Sequence, residues 1–100
     1  MNIAIDYDGT WSADPFLFNA FVGLARHRGH ECFIVTGRRQ EEAPSHLSGE
    51  IIQGIRVICC NGCMKEEVCR ELGIKIDIWI DDMPGMIQDS FYLKVDSDDL

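Results

Sequence analysis

The chain has no run that approaches the roughly 18 consecutive apolar residues of a membrane-spanning helix. Basic residues are few: nine Lys and Arg stand against seventeen Asp and Glu, for a net charge of −8. That balance argues against a broad cationic surface for duplex nucleic acid. The opening residues, Met1-Asn2-Ile3, carry neither a basic n-region nor a small-residue cleavage site, so a cytoplasmic chain is expected. An even cysteine count is also missing. The five present (Cys32, Cys59, Cys60, Cys63 and Cys69) speak against a disulfide framework. Cys60-x-x-Cys63 has no second pair at zinc-finger spacing, and these residues read as small core side chains. Internal repeats, low-complexity tracts and interdomain linkers are absent as well.

What is present suits one small domain. Over 100 residues, 46% are apolar and 26% charged, enough to bury a single core. We expect this domain over residues 1–95 and a solvated acidic end over 96–100, where Asp96, Asp98 and Asp99 cluster. Strand-like and helix-like patterns alternate along the chain. Residues 2–6 read as a short buried strand. Asp14 offers an N-cap and Pro15 a first helical position for a helix over Phe16–Arg28. Its stripes are Leu17/Phe21/Leu24 and Phe18/Val22/Ala25, and Gly29 is its stop. A second strand follows over Glu31–Thr36, then a weakly helical polar segment over 39–49. A third strand spans Ile55–Cys60, and Met64, Val68 and Leu72 mark a helix closed by Gly73. Strands over Ile76–Ile80 and Phe91–Val95 complete the pattern. Single helices between strands imply βαβ units. The expected fold is α/β, a three-layer Rossmann-like parallel sheet with helices on both faces.

In such sheets ligands bind beyond the carboxyl ends of the strands, and the polar residues without a structural explanation fall there. Asp6 and Asp8 follow the first strand, Thr36-Gly37-Arg38 the second, Asn61-Gly62 the third and Asp81-Asp82 the fourth. Four carboxylates on one rim raise each other's pKa, and a hard cation relieves the repulsion. Oxygen-only ligands favour Mg²⁺ over zinc. Aspartates two apart on a strand also share a face, with Tyr7 turned away. Alone, Asp6-x-Asp8-Gly9 would serve as a turn. As an EF-hand loop it fails, because Trp11 takes the glycine position and Leu17 that of the bidentate acid.

Asp6-Tyr7-Asp8-Gly9-Thr10 after a strand resembles motif I of the haloacid dehalogenase-like superfamily. Ile34-Val35-Thr36-Gly37-Arg38 resembles motif II, and Ile78-Trp79-Ile80-Asp81-Asp82 the double-aspartate form of motif IV. The three stand in the family's order across residues 3 to 82. The family's third motif is a Lys or Arg. Lys75 precedes the fourth strand, roughly 15–20 Å from the rim, whereas Lys65 opens the helix after the third strand on the rim side. A cation there opposes its own helix dipole, as a bound anion would explain. Lys65 is therefore the expected residue.

The resemblance implies a Mg²⁺-dependent phosphatase acting through an aspartyl-phosphate. Asp6 would attack phosphorus, and Asp8 would protonate the leaving group and then deprotonate water. Thr36, Gly37, Gly9 and Lys65 would hold the phosphate. The metal would take the Asp6 carboxylate, the Asp8 backbone carbonyl and Asp81, with Asp82 completing the shell. Gly9 would let the backbone turn, Thr10 would brace Asp8, and Trp11 would serve either as a rim aromatic or as packing under the first helix. Arg38 reads as a second phosphate-facing cation or as a solvated helix start, and His27, His30 and His46 as surface residues. Two other readings stand beside this one, a phosphotransferase and a catalytically weak module of the same fold that binds metal or a partner. A response-regulator receiver domain fits poorly, because its phospho-acceptor position holds Cys60-Asn61-Gly62. Residues 11–31 and 39–54 leave no room for a cap domain. An open site of this kind suits a large phosphorylated substrate, or an oligomer whose neighbouring subunit covers it.

Overall fold

The computed structural model describes residues 1–43 and 54–88. The expected fifth strand over Phe91–Val95 and the acidic end over 96–100 lie outside them. So does most of the 39–49 segment, of which Gln40–Glu42 forms a 3-10 turn.

Four strands, β1 (Asn2–Ile5), β2 (Glu31–Thr36), β3 (Arg56–Cys59) and β4 (Ile78–Ile80), form one sheet in the order β3-β2-β1-β4. All three pairings are parallel. Register brings Ile5 beside both Ile34 and Ile80, and Thr36 beside Cys59, so the four carboxyl ends share one edge. Helix α1 (Pro15–His27) links β1 to β2, and α2 (Lys65–Glu71) links β3 to β4. The chain bends from β1 into α1 through a 3-10 turn at Trp11–Ala13 and leaves β4 through another at Pro84–Met86.

Local chemistry sets these bounds. The Asp14 carboxylate accepts the Leu17 N–H at 3.1 Å and Pro15 takes the first turn, where its missing N–H costs nothing. Both helices end two residues before a glycine in the left-handed region, Gly29 (φ 88°) and Gly73 (φ 78°).

Alternation along the strands splits the core into two clusters. Ile3, Ile5, Cys32 and Ile34 meet Phe18, Val22 and Ala25 of α1 on one face. Ala4, Phe33, Val35 and Ile58 meet Val68 and Cys69 of α2 on the other. Strands β1 and β2 are thus buried on both sides, as central strands of parallel sheets are. Each fully buried Ile or Val contributes about 1.5–3 kcal/mol.

Two expected stripes differ. Of the two on α1, only Phe18/Val22/Ala25 packs inward, while Leu17 (54% exposed) and Leu24 (62%) face solvent. On α2 the expected stripe Met64/Val68/Leu72 is replaced by Lys65, Val68 and Cys69, and Leu72 is exposed. All five cysteines are free thiols. Burial pushes the Cys60 thiol up to about 12, which makes it an inert core group.

Candidate functional site

Strand β1 ends at Ile5, and the Asp6 N–H still reaches the Ile80 carbonyl at 2.9 Å, so Asp6 sits one step past the ladder between β4 and β2. The chain then turns tightly. Trp11 donates its backbone N–H to the Asp6 carbonyl at 3.1 Å, and Ser12 donates to Tyr7 at 2.9 Å. Trp11 is fully buried and stacks on Phe18 with centroids 5.8 Å apart, which makes it packing under α1 and not a rim aromatic. Gly9 is at φ 81°, and a Cβ added there would fall on the Asp82 carboxylate. Glycine is therefore needed for the turn and for the approach of Asp82. The Gly9 N–H is taken by Ser12 Oγ at 3.0 Å.

Across this edge α2 begins with Lys65, whose side chain is 5% exposed. Its Nζ donates to Asp6 Oδ1 and to Asp81 Oδ2, each at 2.7 Å. One ammonium between two buried carboxylates explains how a cation is held at a helix start against the macrodipole. Desolvation pulls the Lys65 pKa down, but the hydrogen bonds to Asp6 and Asp81 outweigh it and the ammonium is held above its usual value. Lys75 lies at the opposite edge, where its carbonyl accepts from the Asn2 side chain.

Asp6 is 8% exposed, and burial pushes its carboxyl up to about 6 despite the hydrogen bond from Lys65. Asp82 and Asp81 add to the rise. Asp82 itself is held below the usual carboxylate range by its hydrogen bond with Asp6, and Thr10 adds to that. The Thr10 hydroxyl lies 3.4 Å from Asp6 Oδ2 and 3.2 Å from Asp82 Oδ1, and it accepts the Asp82 N–H at 3.3 Å. A hydroxyl has one proton to give, so the two carboxylates compete for it. Thr10 thus ties Asp6 to Asp82 and does not brace Asp8.

Asp8 goes elsewhere. Because β1 stops at Ile5, strand alternation does not extend to it. Its carboxylate is gripped by Arg38 through Nε at 2.9 Å and Nη2 at 2.7 Å. Those hydrogen bonds hold Asp8 below the usual carboxylate range and raise Arg38 further. Arg38 also lies 5.2 Å above the Tyr7 ring. Thr36 is buried at the end of β2, its Oγ1 accepting the Arg38 N–H at 3.3 Å, and Gly37 follows it, with its carbonyl accepting from Gly62.

Asp6, Asp81 and Asp82 each offer a carboxylate oxygen, all within 4.8 Å of one another. An all-oxygen set of this spacing could hold a hard metal cation. The Asp8 side chain is not part of it. Asp6, Lys65, Asp81 and Asp82 are thus in one cluster, with Thr36 and Gly37 on the adjoining strand end and Asp8 paired with Arg38 beside them. The bridging role of Thr10 and the grip of Arg38 on Asp8 were missed in the sequence. The only signal for the first is the four-residue spacing from Asp6 to Thr10 across a glycine turn. Compared with protein-family models, curated proteins and solved structures, the chain matches none.

Proposed function

We propose that this chain is a Mg²⁺-dependent phosphatase of the haloacid dehalogenase-like superfamily, a capless three-layer α/β/α core acting on a phosphomonoester. One observation carries the reading. Lys65 Nζ is clasped by Asp6 and Asp81 at 2.7 Å, with Asp82 at ligand spacing from both. A buried ammonium balancing part of an acidic cluster leaves a net negative pocket suited to one divalent cation and the phosphate it carries.

In this reading Asp6 Oδ forms a bond to phosphorus as the bond to the leaving oxygen breaks, and Asp8, once it has left Arg38 and taken a proton from solvent, gives that proton to the leaving oxygen. Water then attacks phosphorus, the Asp6–phosphorus bond breaks, and Asp8 takes the proton back. Bound Mg²⁺ would be held by Asp6, Asp81 and Asp82 and the Asp8 carbonyl, and would neutralise developing charge. Lys65 keeps Asp6 oriented and balances the phosphate. Thr36 and the Gly37 N–H stand at the neighbouring strand end, where phosphate oxygens need donors.

A second reading, a metal-binding module without turnover, is favoured by the grip of Arg38 on the Asp8 carboxylate. Hydrolysis of an aryl phosphate by the wild type and by Asp6→Asn, with Mg²⁺ and with chelator, separates the two. The phosphatase reading expects turnover that needs metal and is lost in Asp6→Asn. An inactive wild type that still binds Mg²⁺ supports the module, and equal turnover by both proteins overturns the role given to Asp6.

A further inference from the structure

Arg38 is fixed independently of the carboxylate it holds. Its third donor, Nη1, reaches the Glu42 carbonyl at 3.2 Å, and the Tyr7 ring lies beneath the guanidinium at 5.2 Å. The fork therefore keeps its plane and place when Asp8 leaves it. The Asp8 side chain is 55% exposed and that of Arg38 35%, so water reaches both partners and can replace either when the pair opens. Under the phosphatase reading, on which this inference rests, Asp8 must turn from Arg38 to the leaving oxygen. Two parallel N–H donors at the mouth of the site then face the substrate without an acceptor. A carboxylate or a phosphate presents two oxygens at the spacing of the Asp8 carboxylate and fills such a fork in the same bidentate way.

We propose that Arg38 is a specificity-determining residue that exchanges Asp8 for a second anionic group on the substrate. The site then selects phosphomonoesters that carry a carboxylate or a further phosphate near the ester. The anion that replaces Asp8 restores the pairing of the guanidinium, so such a substrate frees Asp8 without leaving Arg38 unpaired. A monoester lacking the group frees Asp8 only by breaking that pair with nothing to replace it.

Calorimetric binding tests this without requiring turnover. The probes are phenyl phosphate and its ortho-, meta- and para-carboxylated forms, each with Mg²⁺. The wild type is expected to bind at least one carboxylated form about tenfold to a hundredfold more tightly than phenyl phosphate. Arg38→Met should abolish that preference, and Arg38→Lys should retain only part of it, because a point charge lacks the fork. Asp8→Asn removes the competing carboxylate and should strengthen the preference, which a merely structural Arg38 would not do. No preference in the wild type, no binding of any probe, or a preference that survives Arg38→Met overturns the proposal. Turnover of phenyl phosphate without the preference leaves the phosphatase reading standing and removes this one. The preference without turnover supports Arg38 as the anion reader and removes the phosphatase reading.

Discussion

The two edges of the sheet satisfy their polar groups in different ways. At the amino edge, side chains serve the backbone. Asn2 donates its amide to the Lys75 carbonyl at 2.8 Å, its own N–H goes to Asp77 Oδ2 at 2.8 Å, and the Met1 amine meets His30 Nδ1 at 2.8 Å. Every one of these contacts is open to solvent. At the carboxyl edge side chains also cap backbone groups, but there charged side chains are tied to one another as well: Lys65 to Asp6 and Asp81, Arg38 to Asp8, with the Thr10 hydroxyl between Asp6 and Asp82. Three carboxylates cluster there beside one ammonium, which bonds two of them, Asp6 and Asp81, and those two side chains are buried. A chain selected for stability alone has no use for that excess of negative charge. Perturbed carboxyl groups gathered at a sheet edge are what a site for a cation and an anionic substrate requires.

Replacing the two lysines tests the contrast most severely. Lys65→Met strands Asp6 and Asp81 without their shared cation and should cost about 3–5 kcal/mol in urea unfolding without metal. Lys75→Met at the other edge should change stability by no more than about 0.5 kcal/mol. Equal losses would break the comparison.

Divalent metal comes next. Mg²⁺ at about a hundred times its dissociation constant should stabilise the wild type by about 2.7 kcal/mol. The gain should disappear in Asp81→Asn and persist in Asp77→Asn, as thermal melts with and without metal will record.

Asp6 gives a smaller effect with a distinctive sign. Its carboxyl is pushed to about 6 in the fold against 3.8 in the free side chain, so the folded state binds the proton more tightly. Metal-free wild type therefore loses stability as pH rises from about 4 through about 6, and the loss is complete above that window. Asp6→Asn lacks this penalty and should be the more stable protein at neutral pH by about 1–3 kcal/mol, discounted for coupling to Lys65. Denaturant midpoints across that range check both the size and the direction.

A smaller effect at the carboxyl edge belongs to Arg38→Met. Its ion pair is half open to water, and the substitution should alter stability by at most about 1 kcal/mol in the same unfolding assay. A larger loss would make the pair a structural clamp.

Most of the rim could be read from the sequence because a parallel sheet sends every strand's carboxyl end to one edge. Asp6, Thr36, Asp81 and Asp82 each follow an apolar run by position alone, and Lys65 opens the helix that returns to them. Partners across the rim were not legible. Asp8 and Arg38 are 30 residues apart and Thr10 and Asp82 are 72 apart, so only the folded chain pairs them. Periodicity also fails to choose between neighbouring helical stripes. Leu17/Phe21/Leu24 and Phe18/Val22/Ala25 fit the helical repeat equally well, and contact with Ile5 and Ile34 decides which one packs inward. Trp11 was ambiguous for a related reason, since its burial depends on Phe18 meeting it face to face.

The central claim is that Asp6 carries the phosphoryl group. Its most direct test is to quench the protein during turnover of an aryl phosphate with Mg²⁺ and reduce it with borohydride, which converts an aspartyl-phosphate to homoserine. Peptide mass mapping should then find homoserine at Asp6 and nowhere else. Phosphate release with Asp6 unmodified, or homoserine at Asp8 or Asp81, would contradict the account.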